Sequence, residues 1–579
     1  MISSCSFGER KFRSMLFIAT VSVFAQFATL LIDKILTGWL LGERALAVIS
    51  LFSPFFSFVF FASTCISVGC AVCFSIYIGE MRKKKASSFM GLGLSLSLIV
   101  GCVLCAALWA SSDWVVDKLV LNAELQPLAH DFVKFLPLLV FVIPVYTVWQ
   151  EMVYVDGERL FSLLGYFTLF AGNAVFSIIF CARMGFSGIV LGTVISLILS
   201  MLVLLPHFFR KNCSLRLNFH FRWAYTFKVL RYSAVESSEF LFLTLLFFIM
   251  NRFFSVHYGS DSLVVLSVVL DMIELSIVFG GVWQATEPVL NVYRAEKNGK
   301  GVRDMMHFVN VTLLKESLIV FFFFFVLAPW FVGLFHIQTQ AIFDEAVNAV
   351  RCVSFGMFGL AFVKVYACYY LHEKPFFSIF LISLIFFIVP VALLLPAHSI
   401  GGMKVVWLSI VFSSYISLVV GLVAFGSLFG LKRFPLLLTH EEIRKFFVKS
   451  IELKDENIVA LRDRADEVCR KMKVCDSSRY KILLLVEELG MLCASLNAPR
   501  KVIAEFSFCV DEDDVIVFYK DNGIIIDMTD LEQKLSDLRS YVVSSFMANH
   551  NDKLYVLTVS FNRHAFKFPR YRPATRLQT

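Results

Sequence analysis

The sequence predicts a polytopic α-helical membrane protein, with 12 transmembrane helices in two six-helix bundles and a C-terminal cytoplasmic α/β sandwich domain. Three observations carry this. Apolar residues make up 58% of the 579-residue chain and charged residues 17%, with 64 phenylalanines. The mean hydropathy is +0.75. An ordinary soluble domain is about 45–50% apolar and about 25% charged. Charge and glycine both divide near Leu436. From there on the chain has 22 basic and 22 acidic residues, so the net charge of +8 belongs wholly to the part before it. Only Gly490 and Gly523 follow Leu436. A soluble enzyme, a disordered chain and a secreted disulfide scaffold are excluded.

A spanning helix needs about 20 mostly apolar residues. Such stretches lie near 14–38, 45–78, 88–110, 134–155, 160–181 and 186–209, and again near 230–256, 262–292, 306–333, 346–371, 376–396 and 403–430. The first follows Arg10, Lys11 and Arg13, but it is long and lacks a small-residue cleavage site, so it reads as a membrane helix. Basic residues gather in alternate connections: Arg82–Lys85, the stretch from Arg210 to Arg231, Arg294 to Arg303, and Lys432 with Arg433. That bias places both termini, and the tail, on the cytoplasmic side of the cell (inner) membrane.

The chain repeats itself. Gly42-Glu43-Arg44-Ala45-Leu46-Ala47-Val48 recurs as Gly259-Ser260-Asp261-Ser262-Leu263-Val264-Val265, an offset of 217. The organisation expected is 1–209 as one six-helix bundle, 210–229 as a basic linker, 230–435 as the second bundle, and 436–579 as the tail domain. Two such halves are transporter architecture, with a site at the repeat interface. The cysteines add no chemistry: Cys65, Cys70, Cys73, Cys102 and Cys105 sit in apolar runs and read as small buried thiols. His372 and His398 read as loop residues without ligand company, so no metal site is expected.

Residues 26–51, QFATLLIDKILTGWLLGERALAVISL, resemble the first helix and following turn of MATE-type multidrug and toxin extrusion transporters, of the MOP flippase superfamily. Residues 66–86, ending YIGEMRKKKA, resemble that family's end of helix two, and residues 171–196 its passage from helix five to helix six. An ionised Asp at a helix centre costs at least about 2.5 kcal/mol on insertion scales. Asp33 is therefore a natural carrier of a proton or Na⁺, unless it is simply paired with adjacent Lys34, which points about 100° away. The resemblance implies a cation-coupling site at Asp33, Asn173, Ser177 and Thr193, with Ser177 where some members carry a second acid. One carboxylate suits a proton at least as well as Na⁺. The second half offers Glu236, Glu239, Asp271, Glu274 and Glu287. Glu287 and Lys364 are candidates for a second-half cavity, and Lys364 needs an acidic partner.

In the tail a helix fits 441–472 and another fits 477–496. Strands fit 501–510, 515–519 and 553–561. Tyr480–Cys493 and Asp521-Asn522-Gly523 resemble the base helix and adenine loop of the ATP-binding domain shared by histidine kinases, gyrase and anti-sigma-factor kinases. The resemblance implies a degenerate nucleotide site at Glu488, Asp521 and Gly523. Leu492 stands where a Mg²⁺-binding Asn belongs, and no glycine follows Gly523 to build a phosphate lid. The tail is thus expected to be inactive as an enzyme and to lack bound ATP.

The function expected is a cation-coupled antiporter. It exports an amphipathic small organic substrate by alternating access, with H⁺ or Na⁺ as coupling ion and no resident cofactor. Its partners are the lipid bilayer and a cytoplasmic regulatory protein on the tail, and no nucleic acid. Two alternatives stand beside it: a transporter-like membrane receptor acting through the tail, and a flippase for lipid-linked saccharides, which Lys364 favours.

Overall fold

The computed structural model describes residues 7–79, 83–120, 122–156, 159–210, 213–216, 223–275, 278–295, 298–371, 373–437, 446–510, 514–523 and 562–569. Helices dominate up to Phe429. They are α1 (Phe7–Leu41), α2 (Glu43–Gly79), α3 (Lys83–Leu119), α4 (Gln126–Val133), α5 (Leu136–Val155), α6 (Arg159–Met184) and α7 (Phe186–Leu204). After the linker come α8 (Trp223–His257), α9 (Ser260–Leu275), α10 (Phe279–Ala295), α11 (Gly299–Val326), α12 (Ala328–Gly333), α13 (Gln340–Ser354), α14 (Met357–Tyr370), α15 (Pro375–Ser383) and α16 (Val389–Phe429).

Among the described residues, 9 helices are long and apolar enough to cross a membrane, or 10 if α13 and α14, bent by 50°, form one span. The sequence expectation is higher for two reasons. The run 375–429 is one 55-residue helix by this measure, yet its backbone is non-helical at Gly401 and Gly402. The other is α1, which is helical over 35 residues but is not among those counted. Large apolar side chains point outward along these helices, such as Trp109, Ile319 and Phe376. That is costly in water and favourable in lipid. Cys102 shares this outward exposure, against the expectation of a buried thiol, while Cys70 and Cys73 are buried.

The internal repeat is written in the backbone. Gly42 and Gly259 have φ of 82° and 81°. Gly185 (φ 69°, ψ −140°) and Gly402 (φ 65°, ψ −150°) form a second matched pair, again 217 residues apart. Each stands immediately before a helical stretch, in a region that side chains with a Cβ avoid.

The chain divides into two compact units, and the division differs from the order of two bundles and a tail. One unit is 17–284 with 310–426. In it α2 packs along α8, α9 and α5, while α6 packs along α7. The other unit joins 427–579 to 1–16 and 285–309. Its tail contains β1 (Phe446–Glu452), α17 (Asp455–Lys471), α18 (Asp476–Asn497), β2 (Ile503–Val510), β3 (Asp514–Asp521) and β4 (Asn562–Pro569). The strands form one antiparallel sheet in the order β1-β2-β3-β4. Ile458, Leu461, Ile482, Leu485, Phe506 and Phe508 share its core.

Here the expected helix 441–472 is corrected. Residues 446–452 are a strand, paired Lys449 to Phe506 and Ile451 to Ala504, and the helix begins at Asp455. The segment FFVKSIE is β-branched and aromatic enough to fit a pleated surface. Asp455 and Glu456 then favour a helix N-terminus. The expected strand 553–561 lies outside the described residues.

Candidate functional site

Asp33 and Lys34 are neighbours on α1, and the turn of about 100° per residue sends them to different partners. Asp33 faces α6 and α7. The Asn173 Nδ2 donates to its Oδ1 at 2.7 Å. The Thr193 hydroxyl lies 3.1 Å from its Oδ2, 3.1 Å from the Asn173 Oδ1 and 3.1 Å from the Ile189 carbonyl, and it donates to one of these at a time. The Ser177 hydroxyl donates to the Asn173 Oδ1 at 2.9 Å. The helices α6 and α7 meet closely there: a Cβ on Gly192 would lie 2.7 Å from the Ser177 Oγ. Asp33, Asn173, Ser177 and Thr193 thus form one hydrogen-bonded group.

Lys34 turns the other way and pairs with Asp271 on α9. Glu274, one helical turn on, is within its electrostatic reach. An Asp33–Lys34 pair is therefore not formed. Lys364 on α14 is bound to Glu239 on α8 at 2.7 Å, with both side chains largely buried.

A cavity of about 220 Å³ is walled by Asp33, Lys34, Glu151, Thr193, Glu239 and Glu274 together with apolar and aromatic side chains such as Phe56 and Phe240. Five carboxylates, counting Asp271, share two lysines. The group has an excess of three negative charges when all are ionised. Such a lining concentrates cations in a low-dielectric cleft. Lys364 is not itself a wall residue, and the cation that favoured the flippase alternative is paired with Glu239. Glu287 falls in the other compact unit and is not among the lining residues. The sequence reading passed over Glu151. The signal was present, since it is an acid in the apolar stretch Leu136–Val155.

In the tail, Asp521 ends β3, and its Oδ1 accepts the Gly523 N–H at 2.7 Å. It is fully buried beside Tyr519 and Cys493. Burial pushes the Cys493 thiol up to about 12 and the Tyr519 phenol well above its usual range. Glu488 is half-buried on α18. Leu492 packs against the sheet core, and a Cβ on Gly523 would lie 2.5 Å from the Asn497 Oδ1. Asp521 is engaged in packing the tail.

The MatE family model matches residues 19–182. The membrane part superposes on an inward-facing multidrug resistance MATE family transporter of the MOP superfamily, with a TM-score of 0.63 and 19% identity, over 72% of this chain and 96% of that one. The chain has the MATE fold. An outward-facing MATE transporter matches with a TM-score of 0.62 and 20% identity, over 72% and 95% of the two chains. A MOP superfamily transporter from Pyrococcus furiosus, described as having a binding pocket of reverse polarity, matches equally, with a TM-score of 0.62, 20% identity and coverage of 72% and 95%. A search of curated proteins by sequence finds no match. The ATP-binding resemblance of the tail gains no support from these comparisons.

Proposed function

We propose that the chain is a secondary transporter that exposes its acidic cavity alternately to the two sides of the membrane. It moves an amphipathic organic cation in exchange for a proton or Na⁺ loaded at Asp33. One observation carries this reading. Asp33 opens on the cavity and is held by the neutral groups of Asn173 and Thr193, while the adjacent lysine is committed to Asp271. A carboxylate so placed is costly to leave charged and bare, so it is loaded in one state and released in another. The lone acid, with Ser177 beside it, favours a proton. The flippase alternative loses its support, because Lys364 is paired with Glu239.

The test is transport in proteoliposomes under an imposed pH or Na⁺ gradient, followed with fluorescent organic cations. Wild type accumulates the cation against its gradient, and Asp33→Asn does not, although the protein folds and inserts. Equal transport by Asp33→Asn overturns the coupling assignment. Absence of transport by the wild type overturns the reading as a whole.

The receptor alternative has one observation in its favour, and it also supports a regulatory role for the tail. Within the tail-containing unit the Tyr293 hydroxyl of α10 donates to the Glu505 Oε2 at 3.2 Å. The Ser450 hydroxyl donates to the same oxygen at 3.1 Å and accepts the Phe7 N–H at 3.1 Å. Lys520 pairs with the Glu505 Oε1 at 2.8 Å, both side chains 1% exposed, and lies 4.6 Å above the Tyr293 ring. The sheet is thereby tied to the first turn of α1 and to the end of α10. A cytoplasmic protein that competes for the tail would release both helices.

A further inference from the structure

We propose that Asp156, His207 and Cys213 form a binding site for a divalent transition-metal ion of zinc-like chemistry. Asp156 closes the C-terminal end of α5, and its backbone N–H donates to the Met152 carbonyl at 3.0 Å. His207 lies in the 3₁₀ turn Leu205–Phe209 that follows α7. Cys213 begins the described stretch 213–216 of the linker. The fold brings one oxygen, one nitrogen and one sulfur donor together, all within 4.8 Å of one another. The Asp156 Oδ2 is 2.9 Å from the His207 Nε2, and the Cys213 Sγ is 3.5 Å from that nitrogen.

The donor set decides the ligand class. Thiolate and imidazole suit zinc-like ions and are poor ligands for Mg²⁺ or Ca²⁺. Zinc lies about 2.0–2.3 Å from such donors, which in a tetrahedron puts them roughly 3.3–3.8 Å apart. The histidine–cysteine separation already fits, and the aspartate–histidine pair must open by about half an ångström. Two of the three donors are shielded and oriented, and Cys213 is half-buried at the edge. The Asp156 and His207 side chains are 4% and 2% exposed, and Phe208 meets the imidazole edge-on. The Ser214 N–H donates to the Asp156 Oδ2 at 3.1 Å, the kind of outer hydrogen bond that fixes a ligand carboxylate. Three protein ligands leave a fourth position for water. Loading releases the Cys213 proton to solvent.

The three residues come from the end of α5, the turn after α7 and the first residues of the linker. A bound ion would fasten the linker to the first set of helices and so restrain the motion of one set against the other. The spacings, 51 residues and then 6, match no ligand motif, which is why the sequence does not show the site.

The experiment uses the full-length protein in detergent, stripped with chelator and titrated with Co²⁺. The expected result is one ion per chain with thiolate-to-cobalt charge-transfer absorption, bleached by Zn²⁺. Cys213→Ser should lose that absorption, bind Zn²⁺ at least about tenfold more weakly, and release one proton fewer per ion. His207→Ala should likewise bind Zn²⁺ at least about tenfold more weakly, while any ion it holds keeps the thiolate band. If it does not fold, Cys213→Ser decides alone, since it leaves the Asp156–His207 hydrogen bond in place. Charge-transfer absorption that persists in Cys213→Ser comes from other thiols and overturns the proposal, as does unchanged Zn²⁺ affinity.

Discussion

Replacing Lys34 by methionine tests how charge is arranged between α1 and α9. Lys34 is 8% exposed and Asp271 3% exposed, so the substitution leaves a buried carboxylate without its cation, with Glu274 nearby. Breaking one partner of a buried pair costs about 3–5 kcal/mol. The alternative is to protonate Asp271. At pH 7 that lies about three pH units above an ordinary aspartate, at about 1.4 kcal/mol each, or about 4 kcal/mol. The two routes agree, and the second predicts a pH dependence. At pH 5 the same protonation costs only about 1.5 kcal/mol, so the variant should recover stability on acidification. Replacing both partners, Lys34→Met with Asp271→Asn, should come back to within about 1 kcal/mol of wild type. The assay is reversible unfolding in mixed micelles with increasing SDS, followed by tryptophan fluorescence, on the four proteins of the double-mutant cycle at pH 5 and pH 7.5. A Lys34→Met cost below about 1 kcal/mol at both pH values, or strictly additive effects, would refute the reasoning.

Further outcomes follow from other parts of the structure. Glu151→Gln should weaken binding of an organic cation by several-fold without abolishing the pH-driven response, measured by equilibrium binding beside transport. Glu505→Ala leaves Lys520 buried without its anion and should cost about 3–5 kcal/mol. The loss should be read as faster proteolysis of the tail, with Tyr293→Phe giving about 1 kcal/mol. Gly402→Ala and Gly185→Ala should each cost about 1–3 kcal/mol, measured by thermal loss of the monodisperse species. Burial pushes the Cys469 and Cys493 thiols up to about 12. Between pH 9 and 12 the unfolded tail gives up these protons and the folded tail keeps them, so stability falls as pH rises through that window. Alkylation of both thiols at pH 8 should stay slow until the tail unfolds. Rapid native-state labelling would contradict this.

Much of the membrane part could be read from the chain because the signals are long. Apolar runs of about 20 residues and basic connections are strong patterns, and the repeat at Gly42 and Gly259 is visible as text. The grouping of Asp33 with Asn173, Ser177 and Thr193 was also legible, although only through resemblance. Partners across elements were not. Nothing in the text near Lys34 says that it will meet Asp271, 237 residues on, or that Lys364 will meet Glu239. Such pairs depend on helix rotation and packing. The strand at 446–452 was misjudged because seven residues with mixed apolar content satisfy a helical template as readily as a pleated one. Two cysteine pairs, Cys70 with Cys73 and Cys102 with Cys105, have the CxxC spacing inside apolar runs.

The matched glycines make the molecule its own control. Positions 34 and 251 are counterparts under the 217-residue offset, and each reaches across to the other set of helices. Lys34 finds the carboxylate of Asp271. Asn251 donates its amide to the Ser50 carbonyl at 2.6 Å. The scaffolding is duplicated, but the electrical load is carried on one side. A chimera that exchanges only these two residues would leave Asp271 facing an amide and put an ammonium beside the Ser50 carbonyl. Its loss of stability would measure how far the duplicated scaffold depends on a charge that only one half carries.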